Sequence, residues 1–197
     1  ALVAMLEGKF ALEAALAVDD FSNLEEIRKR EAFLDSSTLA FDAYLAAITW
    51  GSESEAFAKS DGGLNLAEWK RRNLTGELII PRPSAEQVQL AGITDIYFGG
   101  FANNAVKAIA SHKKFLRLDS EGRSEEAEQG RQTAREHTTQ ALRLSGLAIE
   151  SLSEIVKISN ATISESARTI EQTQRQVARN ILYIFVAGSV VSLSASY

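Results

Sequence analysis

The chain of 197 residues has a net charge of -5 and contains no cysteine. It therefore lacks the basic footprint that marks nucleic-acid-binding proteins, and disulfides and cysteine-ligated metal sites are excluded. Only 2 prolines and 8% aromatic residues accompany 45% hydrophobic residues, which favours a nearly all-helical protein with one core. Because the chain begins at Ala1 and not at Met, we expect a fragment from which targeting signals are cut away.

The N-terminal part is predicted to form one long amphipathic helix. Its apolar stripe, at steps of three and four, begins with Val3, Leu6, Phe10, Ala14 and Val18. The same pattern resumes at Leu24 after an interruption at Asp19 and Asp20. Ser22–Glu25 has the form of a capping box, so a second helix could begin there. We favour a continuous helix with a soft joint, ending near Ser60 before two glycines.

The middle of the chain is predicted to return through a shorter helix and an extended segment. Leu64–Leu74 reads as the helix, and Glu77–Pro83 must be largely extended because its two prolines do not fit a helix interior. Ser84 is placed to cap a further helix that continues to about Leu118. Three glycines inside this helix indicate close packing of another helix: Gly92, Gly99 and Gly100.

The last predicted helix starts at Ser124 and carries two columns with a seven-residue spacing, which is typical of helices packed along a seam. The first column is a ridge of small residues: Ala127, Ala134, Ala141 and Ala148. The second is apolar: Leu142, Ile149, Val156, Ile163, Ile170, Val177 and Ile184. Both columns predict that this helix packs against partners over most of its length.

The run Ile181–Tyr197 contains no charged residue. We interpret it as the start of a transmembrane helix, although its length falls short of the roughly 20 residues that span a bilayer. The alternative is a C-terminal helix buried in a soluble protein.

These elements predict an all-α fold, an elongated antiparallel four-helix-type bundle with long first and last helices. Residues 22–158 would form a distal bundle, and residues 1–21 and 159–180 a membrane-proximal stalk. Residues 181–197 would enter the membrane. Because two helices alone bury little apolar surface, the stalk implies a homodimer.

Catalytic and metal-binding motifs are absent from the sequence. His112 and His137 are its 2 histidines, and no HExxH motif, phosphate-binding loop or GxSxG motif occurs. We therefore expect no enzyme activity, no metal and no cofactor.

A binding site for a small polar molecule is a more plausible function for the polar residues of the bundle. If both helix hairpins end at the same level, Tyr44, Asn103 and Arg135 lie at similar heights. The ligand-binding set predicted at this level is Asp42, Tyr44, Asn103, Asn104, Arg131, Arg135 and Thr138. Arginine can hold a carboxylate through two parallel hydrogen bonds, which favours an organic acid. The alternative is a solvated face with pairs along one helix, such as Glu128 with Arg131.

This layout resembles the extracytoplasmic sensor region of bacterial chemoreceptors and sensor histidine kinases, in the four-helix-bundle or helical-bimodular style. The resemblance rests on Leu24–Phe33, Leu142–Val177 and the apolar run from Ile181. It implies a receptor in the bacterial inner membrane whose bulk is periplasmic and which senses a small polar metabolite, an organic acid or a periplasmic binding protein. Signal transduction, for example in chemotaxis, would proceed by a shift of the last helix. The extended Leu78–Pro83 segment departs from a plain four-helix bundle.

A second functional hypothesis remains open. The heptad pattern is also typical of a membrane-anchored structural or scaffolding coiled coil without a small-molecule ligand.

Overall fold

The computed structural model describes residues 1–51, 54–59 and 83–194, with side chains described as far as residue 181. The helices of these ranges are α1 (Leu2–Leu16), α2 (Leu24–Trp50), α3 (Glu55–Lys59), α4 (Ala85–Ser120) and α5 (Ser124–Ser194). The described ranges contain no strand, which confirms the all-α class. The chain divides into two compact units, Ala1–Ile155 and Val156–Tyr197.

The continuous first helix predicted from the sequence is wrong. Helix α1 ends at Leu16, and a 3₁₀ turn at Phe21–Asn23 precedes α2. Asp20 has extended backbone angles, φ -122 and ψ 129, and its carboxylate accepts a hydrogen bond from the Ser22 N–H at 2.8 Å. This local bond stabilises a turn in competition with the helix.

The apolar stripe predicted for α1 is on the wrong face. Helix α1 buries a face rich in small residues, Ala4, Met5, Gly8, Ala11, Leu12 and Ala15. The larger residues of the predicted stripe are exposed, with Val3 at 67%, Leu6 at 49% and Phe10 at 58%. The small residues let α1 approach its neighbours closely, since the position of a Gly8 Cβ would lie only 3.4 Å from the Phe101 ring and 3.5 Å from Leu34. Residues 1–21, which we assigned to a stalk, pack in the unit Ala1–Ile155.

Helix α2 ends at Trp50, about ten residues earlier than predicted. Gly51 has φ 81, a conformation that glycine adopts without the steric cost paid by other residues. Its N–H donates to the Ala47 carbonyl at 2.8 Å and closes the last turn. The predicted helix Leu64–Leu74 and the predicted extended segment, apart from Pro83, lie outside the described residues.

The predicted start of α4 is confirmed. The Ser84 hydroxyl accepts from the Gln87 N–H at 3.2 Å, and the Gln87 side chain accepts from the Ser84 N–H at 2.9 Å. This reciprocal capping box satisfies two backbone donors that the first helical turn would leave unpaired. Helix α4 ends at Ser120, close to the predicted Leu118, and Gly122 follows with φ 74.

One hydrophobic core joins α1, α2, α4 and the residues of α5 that belong to the first unit. At its centre the rings of Phe41 and Phe98 stack with centroids 3.6 Å apart. The predicted alanine ridge is buried, with Ala127, Ala134, Ala141 and Ala148 between 0% and 4% exposed.

Helices α4 and α5 run antiparallel within this unit, because early residues of one contact late residues of the other. The hydroxyls of Thr94 and Ser151 lie 2.7 Å apart in the core. Further along, a Cβ added at Gly130 would lie 3.3 Å from the backbone of Phe115. Close packing at the α4 glycines is confirmed for Gly100 alone, where a Cβ would come within 2.9 Å of Leu144. At Gly92 and Gly99 a Cβ would meet no described atom within 4 Å.

The unit Val156–Tyr197 has a different character. The apolar column continues along it with Val156, Ile163, Ile170 and Val177 between 50% and 65% exposed. Helix α5 continues to Ser194, and the side chains of 182–197 lie outside the described residues. Among the residues that the structure describes, none of the helices combines the length and apolar character needed to cross a membrane.

Candidate functional site

Four of the seven predicted ligand-binding residues line two cavities on α4 and α5. Asn104 and Arg135 line the first cavity, and Arg131, Arg135 and Thr138 line the second. Arg135 thus belongs to both. We refer to the two cavities together as the Arg135 site.

The first cavity, of about 680 Å³, is lined by polar and charged residues. Asn104 donates from its amide to the Gly100 carbonyl at 2.8 Å, and its Oδ1 lies 3.2 Å from Nδ1 of His137. Because an amide oxygen only accepts, Nδ1 of His137 carries the proton in this contact. The remaining wall consists of Gln132, Glu136, Thr139 and Gln140 together with Arg135.

The second cavity, of about 490 Å³, combines cationic and apolar walls. Leu16 at the end of α1, Phe115 of α4 and Ala134 of α5 supply apolar surface. Arg131 and Arg135 supply two guanidinium groups, and the apolar wall faces the same space. A carboxylate with an apolar tail fits this combination, since arginine binds the carboxylate while the tail leaves water.

The two arginines differ in their partners. Arg131 forms an ion pair with Glu128 one turn earlier on α5, as expected for the solvated-face alternative. Arg135 forms no ion pair or side-chain hydrogen bond with any residue in the described part of the chain. Of the two, Arg135 is therefore the cation whose donors are available to a ligand.

His112 forms part of the second cavity through a contact that positions the α1–α2 connection. The ring is 8% exposed, and its Nε2 lies 2.7 Å from the Val18 carbonyl. Nε2 must donate, because a carbonyl has no proton to give. The contact fixes the segment that follows Leu16, and Leu16 itself forms part of the cavity wall. On the next residue of α4, Lys113 forms an ion pair with Glu31 at 2.6 Å.

The other three predicted residues, Asp42, Tyr44 and Asn103, line neither cavity. Asp42 and Asn103 are exposed, and Tyr44 packs against the hydrophobic core. The assumption of equal heights does not hold. Phe41 stacks on Phe98, which places Tyr44 roughly 20 Å along the bundle from Arg135 at 1.5 Å per residue. The cause is the turn between α1 and α2, after which α2 runs antiparallel to α4: Glu31 pairs with Lys113, and Phe41 stacks on Phe98.

Sequence reasoning missed the contributions of Leu16, Phe115 and the two histidines to this site. The histidines were weighed as metal ligands, and no group of three or more potential ligands occurs in the described part of the chain. Leu16 reaches the site because the chain turns directly after it. The local signal for that turn was Asp20 two residues before Ser22, a spacing that allows a carboxylate to bond to a backbone N–H.

No protein-family model, curated protein or solved structure matches this chain.

Proposed function

We propose that the chain is the ligand-sensing, extracytoplasmic part of a bacterial transmembrane signalling receptor. The single observation that carries this proposal is Arg135, a guanidinium with no partner among the described residues that borders two cavities. The ligand class that fits is a small organic acid, with its carboxylate on Arg135 in the second cavity, whose described wall carries no carboxylate and includes Thr138 and Thr139. We propose a small molecule and not a periplasmic binding protein, because the exposed Arg131 and Arg135 border surface depressions of a few hundred Å³.

The proposal includes a finer architecture and a location. Helices α1, α2, α4 and residues 124–155 of α5 form an antiparallel four-helix-type bundle, supported by their common core. Residues 181–197 begin the membrane segment, supported by their lack of charge. The receptor is a homodimer in the inner membrane, and a shift of α5 transmits the signal. Ligand binding can bias such a shift only by favouring one packing of the helices over another.

The test is thermal unfolding of the chain during titration with acetate, succinate and benzoate as probes. A probe that binds the native state alone raises Tm by roughly 5–10 °C at about 100 times its Kd. Arg135→Ala should abolish the shift. Arg143→Ala is the matched control, since Arg143 is an exposed arginine two turns further along α5 that lines neither cavity.

Two results contradict the proposal. The first is a titration in which none of the three acids shifts Tm. The second is a shift that Arg135→Ala and Arg143→Ala reduce equally, since this would reflect general ion binding and not the Arg135 site.

A second candidate function is a membrane-anchored structural coiled coil. The exposed apolar column of Val156, Ile163, Ile170 and Val177 favours it, because such a column is the surface that a second helix covers. This function predicts self-association together with no response to any of the acids.

A further inference from the structure

A contiguous apolar surface lies on α1 and α2, away from the Arg135 site. Val3, Leu6 and Phe10 of α1 and Phe33 of α2 line one depression of about 410 Å³, together with Glu7 and Arg30. We call these six residues the α1–α2 patch. The four apolar side chains are between 41% and 67% exposed.

Exposure of single apolar side chains is ordinary, whereas several that share one depression indicate a surface that binds another molecule. The two faces of helix α1 differ in this respect. Its opposite face already packs into the core through residues such as Met5 and Leu12, both 0% exposed. Packing in the described fold therefore does not account for the large side chains on the outer face.

The charges of the α1–α2 patch restrict the partner. Glu7 forms no ion pair in the described part of the chain. Arg30 pairs with Glu26 through Nη2 at 2.5 Å, but its Nε is buried without a hydrogen-bond partner. The patch thus carries one acid, Glu7, and one base, Arg30, whose charge is partly offset by Glu26 beside it, so it has no excess of positive charge. This disfavours a nucleic acid, an anionic lipid surface or a strongly charged protein, each of which needs an excess of one sign.

A surface with one acid and one base is complementary to a copy of itself. In a two-fold contact, residue i of one copy faces residue j of the other, and residue j faces residue i. We infer that the α1–α2 patch binds the same patch on a second copy of this chain, with Glu7 of each copy facing Arg30 of the other. This inference uses neither the Arg135 site nor the column from Val156, so it stands independently of the proposed ligand.

The first experiment uses the absence of cysteine from the chain, which makes any introduced thiol unique. Leu6→Cys places a thiol in the patch, and Asp35→Cys places one on an exposed position of α2 that does not line it. A short thiol-reactive cross-linker should give at least about tenfold more covalent dimer with Leu6→Cys. Equal yields from the two variants would overturn the inference. The same holds if Ile163→Cys cross-links and Leu6→Cys does not, because association would then lie in the other unit.

The second experiment tests the pairing itself by charge reversal in the Leu6→Cys background. Glu7→Arg alone places arginine against arginine, and Arg30→Glu alone places glutamate against glutamate. Each should lower dimer yield about tenfold or more, since like charges across an interface oppose association. An equimolar mixture of the two variants should restore the yield as heterodimer, because both contacts are then between opposite charges.

Glu7 and Arg30 also lie near each other within one chain, so a charge reversal changes contacts inside the protein as well. Circular dichroism melting therefore checks that each variant is folded. If a reversal unfolds the protein, Glu7→Gln and Arg30→Gln replace it. Each alone should lower the yield, and mixing them should restore it in part, because the heterodimer regains one of the two ion pairs. Folded variants whose yields match the unreversed protein overturn the pairing.

Discussion

The two units of this chain apply the same seven-residue spacing with opposite results. In Ala1–Ile155 the column from Ala127 to Ala148 is buried to 4% exposure or less, whereas in Val156–Tyr197 the column from Val156 to Val177 is at least 50% exposed. A heptad identifies the face of a helix that can pack, because that face stays aligned along the helix. It does not state whether the partner belongs to the same chain.

Side-chain size separates the two columns as well. The buried column consists of alanines, beside which Gly130 brings the backbones of α4 and α5 together. The exposed column consists of valine and isoleucine, whose branched side chains would fill the space between more widely separated helices. The small column therefore suits the close contacts within the first unit, and the large column suits a partner that is not among the described residues.

The largest expected effect comes from truncating isoleucine in each unit. Ile109→Ala removes a side chain that is 0% exposed, and we expect it to lower the free energy of unfolding by about 2–5 kcal/mol. Ile163→Ala makes the same chemical change at a position 65% exposed. Its effect should stay within about 0.5 kcal/mol. Urea denaturation followed by circular dichroism measures both.

The effect of Ile163→Ala on stability is also expected to depend on protein concentration. If a second copy covers the column, the cost of Ile163→Ala should grow with concentration, because association stabilises the folded state by mass action. A cost for Ile163→Ala as large as that of Ile109→Ala in dilute solution would contradict the contrast between the units.

A smaller effect is expected from adding one methyl group at two glycines of α5. Gly130→Ala places a Cβ 3.3 Å from the Phe115 backbone, which cannot move aside as a flexible side chain can. Overpacking outweighs the gain in helix propensity, for a net loss of about 1 kcal/mol. Gly146→Ala meets no described atom within 4 Å, so it should gain about 0.5–1 kcal/mol. Opposite signs in chemical denaturation support the close approach at Gly130, and two stabilising substitutions would refute it.

The smallest expected effect concerns pH and the turn between α1 and α2. Hydrogen bonding from Ser22 lowers the pKa of Asp20 below its ordinary value of 3.8. A carboxylate with a lowered pKa stabilises the fold above its unfolded pKa, and this contribution disappears as the pH falls through the folded pKa. Asp20→Ala should therefore differ from the parent chain in Tm near neutral pH and converge with it under acid conditions. A difference that persists unchanged into strong acid would show that the carboxylate charge plays no part.

Much of the fold follows from local signals in the sequence. Ser84 and Gln87 specify the start of α4 because both halves of the capping box lie within four residues. The alanine ridge identifies the buried face of α5 because four alanines follow one another at a seven-residue spacing without interruption.

The predictions were wrong where the conformation of one short segment decides how distant helices pack. At Asp20 the sequence allowed either a continuous helix or a turn, and the tertiary packing of the small face of α1 favours the turn. The same turn makes α2 run antiparallel to α4, and this direction places Tyr44 far along the bundle from Arg135. Arg131, Arg135 and Thr138 lie together despite these errors because they are neighbours on one face of α5, whereas Asp42 and Tyr44 depended on the register between helices.

The hydroxyl pair of Thr94 and Ser151 limits which movements α5 can make along α4. The two oxygens lie 2.7 Å apart in the core, and both reach the carbonyl of Leu90. An axial displacement by one helical turn, about 5.4 Å, would separate the two oxygens and break the buried hydrogen bond between them. Sliding of α5 by a full turn is therefore opposed at this level, and any signal carried by residues 124–155 would have to keep the two hydroxyls within reach of each other.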